Sequence, residues 1–266
     1  MKKYILDLTV KSVERLHERY VLLKLTAQEP LPDMLPGQFV EVRVDGSTST
    51  FLRRPISINF VDKAQNELWL LVATVGDGTR RLALLQAGDL LNCVLPLGNG
   101  FSLPSNDCSQ NDGTAMRKVL LVGGGVGVAP LLYLGKTLKE QGVEPTFLLG
   151  ARTKKDLLLL DEFRKYGRVL MTTEDGSEGE QGFVTNHTVL QQEHFDLIQV
   201  CGPTPMMKAV AQYARQTETP CEVSLENLMA CGLGACLCCV EKTVQGNVCV
   251  CKDGPVFNIN QLLWQN

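Results

Sequence analysis

The run Val119-Leu-Leu-Val-Gly123-Gly124-Gly125-Val-Gly127-Val-Ala-Pro130 decides the fold of the second half of this chain. Four apolar residues read as a buried strand, and the glycines that follow let the backbone approach a ligand closely. The residues after them suit a helix, whose first N–H groups favour negative charge. This strand, glycine turn and helix form the usual cradle for the pyrophosphate of a dinucleotide, with Pro130 where the fingerprint ordinarily has its third glycine.

Working outward, Thr146-Phe-Leu-Leu-Gly150, Val169-Leu-Met-Thr172 and Leu197-Ile-Gln-Val200 read as further strands. Helical stretches to about Gly142 and through Phe163 alternate with them. Such a βαβ series predicts a doubly wound parallel sheet. On the N-terminal side the pattern changes to short strands divided by turns, such as Leu8–Val13, Tyr20–Leu25, Phe39–Val44 and Leu68–Ala73. Their number and spacing predict a small antiparallel barrel. The expected organisation is a barrel over 1–102, a linker over 103–117 rich in Ser, Asn, Asp and Gly, an α/β unit over 118–222 and a small third unit over 223–266.

That third unit carries six of the ten cysteines, in Cys231-Gly-Leu-Gly-Ala-Cys236-Leu-Cys238-Cys239 and then Cys249-Val-Cys251. Cys231, Cys236 and Cys239 with a later fourth match C-x4-C-x2-C…C, the plant-type [2Fe-2S] spacing. Paired zinc knuckles are absent, and none of His17, His187 or His194 lies near the run; both points argue against zinc. The fourth ligand comes from Cys238, Cys249 or Cys251. On an extended segment Cys249 and Cys251 point the same way, and the Lys-Asp-Gly-Pro turn directly after Cys251 favours Cys251.

Composition fits an ordinary water-soluble protein: 266 residues, 44% hydrophobic, net charge −3. No apolar run reaches membrane-spanning length, and no basic block suggests nucleic acid. The apolar stretch after Lys2-Lys3 is too short for an export signal, so a reducing, cytoplasmic setting is expected for the thiolates.

A nicotinamide exchanges hydride, whereas an iron-sulfur cluster takes single electrons. A flavin converts between the two, so the barrel is expected to hold one. Its candidate site is Arg53-Arg54-Pro55-Ile56-Ser57, where an arginine can pair with a phosphate and a serine can reach a ring nitrogen. Gly76-Asp-Gly78-Thr79 is a second anion-binding turn. Lys154 and Lys155, after Gly150-Ala-Arg152, suit a 2′-phosphate or simply form a solvated face.

Taken in order, Arg54-Pro-Ile-Ser57, Gly78-Thr79, Pro96-Leu-Gly-Asn-Gly-Phe101, the glycine turn to Pro130 and Cys201-Gly-Pro203 resemble the ferredoxin reductase superfamily. Ser224-Leu-Glu-Asn-Leu-Met-Ala-Cys231-Gly-Leu-Gly-Ala-Cys236 and Cys251-Lys-Asp-Gly-Pro-Val-Phe257 narrow the resemblance to the electron-transfer subunits of class 1B dihydroorotate dehydrogenases. It covers essentially the whole chain. The resemblance implies FAD contacts from Arg54 to Ser57, joined by Leu71, Val72, Ala73, Gly78 and Thr79. It also implies cluster ligands Cys231, Cys236, Cys239 and Cys251, with NAD as exchangeable substrate in the middle unit. Cys201 would lie near the nicotinamide, although a buried core cysteine reads equally well. The implied partner is an FMN-containing catalytic subunit, two copies of each forming a heterotetramer in pyrimidine biosynthesis. Two alternatives are the small subunit of an NADH-dependent ferredoxin:NADP oxidoreductase, in whose family an aspartate stands where this chain has Cys231, and an iron-sulfur redox sensor.

Overall fold

The computed structural model describes residues 2–103 and 118–264, so the expected linker lies outside the described residues apart from Leu103. Two compact units emerge. Of the described residues, the first contains 2–100, 225–256 and 261–263; the second contains 101–103, 118–224, 257–260 and Trp264.

Six strands of the first unit close into an antiparallel barrel: β1 (Tyr4–His17), β2 (Tyr20–Thr26), β3 (Phe39–Val42), β4 (Arg54–Asp62), β5 (Glu67–Ala73) and β6 (Leu90–Leu97), in the order β1-β2-β5-β4-β3-β6. Closure leaves no open edge to pair with another chain. Val21, Leu23, Leu25, Ile58, Leu68 and Leu70 are fully buried and fill the interior. A short helix, α1 (Asp77–Leu82), joins β5 to β6.

The second unit holds β7 (Val119–Gly124), helix α2 (Ala129–Glu140), β8 (Thr146–Ala151), α3 (Leu160–Arg164), β9 (Arg168–Thr173), β10 (Glu180–Gln181), α4 (Val189–Gln192), β11 (Leu197–Cys201), α5 (Thr204–Gln216) and β12 (Cys221–Ser224). Their sheet runs β10-β9-β8-β7-β11-β12, parallel throughout. Val119–Val122 and Phe147–Leu149 are buried on both faces, as parallel strands between helices must be. The helix expected through Phe163 shrinks to the five residues of α3. A tight turn at Lys154–Asp156 and a left-handed Leu159 (φ 55°) precede it, so helical backbone cannot begin earlier.

The C-terminal segment, at residues 225–256 and 261–263, belongs to the same compact unit as the barrel. Its hairpin, β13 (Val240–Thr243) with β14 (Gly246–Cys249), has only two strands, too few to bury a core alone. It packs with the barrel instead. Asn99, just past β6, donates through Nδ2 to the carbonyls of Lys252 and Asp253 at 3.2 and 3.0 Å, and its N–H reaches the Gly254 carbonyl at 2.6 Å. These bonds fasten α6 (Val250–Asp253) to the barrel rim. The last strand, β15 (Val256–Asn258), extends the parallel sheet beside β12.

Candidate redox centre and nucleotide sites

In the barrel, antiparallel pairing sets Ile58 opposite Leu70 and thereby brings the start of β4 alongside the end of β5. Arg54, Pro55, Ile56 and Ser57 therefore share one end of the barrel with Leu71, Val72 and Ala73. Arg54 reaches α1: a Cβ on Gly78 would lie 3.0 Å from Arg54 Nε and from Thr50 Cγ2. Thr79 Oγ1 meanwhile accepts the Gly76 N–H at 3.1 Å and fixes the turn. The Arg54 Nε is buried and has no acceptor in the protein. A buried guanidinium N–H without a partner is costly, and a phosphate oxygen would satisfy it. The arrangement fits the phosphate end of a flavin nucleotide.

Glu41 on β3 lies against the same arginine pair, and sequence reasoning missed it. It sits in Phe39-Val-Glu-Val42, where alternation would turn it outward, yet it is fully buried. Neither carboxyl oxygen has a partner. Burial pushes its pKa up to about 7, against the opposing pull of Arg53 and Arg54, and the Cys231 thiolate adds to the rise. An unpaired carboxyl in a closed-barrel strand is the only signal that could have singled it out, and burial is not visible in the residue letters.

The cysteine loop curls through positive φ at Gly232 (66°), Gly234 (80°) and Leu237 (58°). Cys231 Sγ accepts the Leu233 N–H at 3.3 Å, and Cys251 Sγ accepts the Gly234 N–H at 3.1 Å. Among the described residues no three Cys, His, Asp or Glu side chains converge as they would around a single ion. The thiols approach in twos. Cys236 lies beside Cys231, and Cys239 beside Cys251, whose N–H reaches Cys239 Sγ at 3.4 Å. Two pairs of thiolates are what a two-iron cluster requires. Burial raises the Cys231 pKa, but N–H groups of Leu233, Cys236 and Ala235 and the Cys236 thiol outweigh it and bring the value down to about 6. Burial and the neighbouring Cys239 push Cys251 up to about 12, so its proton would leave only on metal binding.

Cys249 and Cys251 do not share the extended segment on which they would point alike. Strand β14 ends at Cys249, and Cys251 falls in the turn of α6. Cys251 is 1% exposed and faces Cys239, whereas Cys249 is half-buried and Cys238 exposed.

In the second unit β7 is central, with β8 on one side and β11 on the other, so the winding reverses between β7 and β11. Ligands of open α/β sheets bind outside the strand ends at this switch point. Gly123 and Gly124 end β7 there, Gly125 (φ 55°) begins a tight turn to Val128, and Pro130 is buried in the first turn of α2. Cys201 ends β11 opposite Gly123 and is half-buried. A Cβ on Gly127 would lie 2.5 Å from Gly202 Cα and 2.6 Å from the Cys201 carbonyl oxygen, so only glycine lets the two strand ends close up.

Residues 226–263 match the family model of the iron-sulfur cluster binding domain of dihydroorotate dehydrogenase B, and 121–212 match that of the oxidoreductase NAD-binding domain. The dihydroorotate dehydrogenase B (NAD(+)) electron transfer subunit of Shouchella clausii is 41% identical over 86% of this chain and 86% of its own length. The corresponding subunit of Bacillus velezensis is 38% identical over 96% and 97%. A solved NADH-dependent reduced ferredoxin-NADP oxidoreductase structure superposes with TM-score 0.83 at 32% identity, covering 97% of this chain and 90% of that one. With a relative this similar spanning most of both chains, the protein belongs to the family of dihydroorotate dehydrogenase B electron transfer subunits.

Proposed function

We propose that this chain passes electrons between a separate catalytic subunit, which carries FMN and oxidises dihydroorotate, and NAD+. The observation that carries the reading is the joint presence of a paired-thiol loop packed in one compact unit with the Arg54 barrel and a glycine turn at a sheet switch point. A bound FAD would exchange hydride with the nicotinamide and single electrons with a [2Fe-2S] cluster. Arg54 would neutralise its phosphate, Ser57 would orient its ring, and Leu71–Ala73 with Gly78 and Thr79 would wall it. Cys231 and Cys236 would hold one iron, Cys239 and Cys251 the other. Gly123–Gly127 would seat the pyrophosphate of NAD, beside Cys201.

The overall reaction balances: dihydroorotate loses two electrons and two protons in the partner, NAD+ takes up two electrons and one proton here, and the second proton goes to solvent. Exposed Leu228, Leu233 and Leu237 beside the cysteines suit a protein partner over the cluster. We place the assembly, two copies of each subunit, in the cytoplasm. Among the described residues no helix is long and apolar enough to cross a membrane.

The test is reconstitution. The isolated chain should reduce dyes with NADH but leave dihydroorotate untouched, and an FMN-bearing partner should restore dihydroorotate-dependent NAD+ reduction. Turnover of dihydroorotate by the chain alone would refute the division of labour.

A further inference from the structure

The C-terminal end of β8 continues as Gly150-Ala-Arg152-Thr-Lys154-Lys155. In a sheet wound this way, the end of the strand after the glycine turn is where the adenosine ribose of a dinucleotide lies. An acidic residue there suits a free 2′-hydroxyl and a basic one a 2′-phosphate. Three basic residues stand at this turn, which on letters alone suits the phosphorylated dinucleotide.

The loop between β9 and β10 changes that reading. It folds back over the turn: the Glu174 N–H reaches the Ala151 carbonyl at 3.1 Å, and the Asp175 N–H reaches that of Arg152 at 3.3 Å. Ser177 Oγ accepts the Lys154 N–H at 2.7 Å. Glu178 is held at both backbone atoms by the fully buried Thr173, whose Oγ1 accepts its N–H at 3.0 Å and donates to its carbonyl at 2.8 Å. From this anchored position Glu178 Oε2 meets Lys154 Nζ at 2.7 Å.

We propose that Glu178 is the residue that selects NAD(H) over NADP(H). It occupies the Lys154 ammonium that would otherwise bind a 2′-phosphate, and with Glu174 and Asp175 it sets carboxylates where that phosphate would lie. The ribose hydroxyls of NAD can donate to these oxygens, whereas a phosphate dianion is repelled. The inference rests on the glycine turn being the dinucleotide site. Lys154 is largely exposed and Glu178 half-buried, so the pair adds little stability, and its removal leaves the fold intact and exposes its effect on selectivity.

Dissociation constants of NAD+ and NADP+ for the purified flavoprotein, measured calorimetrically, test the proposal. The wild type should prefer NAD+. Glu178→Gln should lower the NADP+/NAD+ ratio of dissociation constants by about tenfold or more, the scale of one new charge-assisted hydrogen bond together with the removal of one repulsion. Adding Lys154→Ala to that variant should return the ratio toward the wild-type value, and the unfolding midpoints should coincide. A wild type indifferent to the phosphate, an unchanged ratio in Glu178→Gln, or an improvement that survives loss of Lys154 would overturn it. Failure of the wild type to bind either dinucleotide would instead refute the site itself.

Discussion

Glu41 fills the space that a side chain at Gly232 would need: a Cβ on Gly232 would lie 2.8 Å from Glu41 Cγ and 3.3 Å from its Oε1. One residue belongs to the barrel strand beside Arg54, and the other follows the first cysteine of the loop. The contact joins the proposed flavin end of the barrel to the proposed cluster through a carboxyl whose oxygens have no hydrogen-bond partner.

This carboxyl predicts a pH dependence. Its pKa rises from 4.5 to about 7 on folding because burial disfavours the charge. Between those values the folded state binds more protons than the unfolded one, so stability falls as pH rises through the interval and the loss is complete above about 7. About 3.5 kcal/mol is at stake, at ~1.4 kcal/mol per pKa unit. Glu41→Gln should remove this slope and be the more stable protein at pH 8. Denaturant unfolding of the holoprotein at pH 5, 6.5 and 8 checks it, and parallel slopes in both proteins would count against a buried, proton-binding Glu41.

The cysteines separate by packing as well as by spacing. Cys239→Ser and Cys251→Ser each break the Cys239–Cys251 pair and should abolish or severely deplete the visible [2Fe-2S] spectrum and bound iron. Cys238→Ser and Cys249→Ser should leave both largely intact, since these thiols lie outside the two pairs. Iron analysis after anaerobic purification decides the matter. Loss of iron in Cys249→Ser with retention in Cys251→Ser would reverse the assignment.

Periodicity made the parallel sheet and the barrel legible, because Val119–Val122 and Tyr20–Leu25 carry their burial in their own letters. The cysteine spacing announced its chemistry in the same local way. Three features were hidden because they depend on residues far apart in the chain. Asn99 stood in the Pro96–Phe101 motif with nothing to mark its partner, yet it fastens residues 252–254. Glu41 looked like an outward polar residue until barrel closure buried it. Lys154 looked available to a phosphate until a loop more than twenty residues on supplied Glu178. The packing of the cluster segment was hidden for a related reason, since a two-stranded hairpin has too few strands to bury a core alone and residues 225–256 share one compact unit with the barrel.

Two glycines of the same turn should respond differently to alanine. Gly127 has Gly202 Cα and the Cys201 carbonyl where a Cβ would go, both of them backbone that cannot rotate away. Gly127→Ala must therefore push the turn off the end of β11, an overpacking cost of about 1–3 kcal/mol, and the displaced N–H groups should no longer bind NAD. Gly125 has open space around its Cβ position but a φ of 55°, so Gly125→Ala faces only the left-handed backbone penalty of about 1 to 2 kcal/mol. Thermal midpoints should fall further for Gly127→Ala than for Gly125→Ala, and NAD+ affinity should be lost in the former while flavin and iron contents stay at wild-type levels. Equal behaviour of the two variants, or full NAD+ affinity in Gly127→Ala, would show that closure of β7 onto β11 does not shape the site.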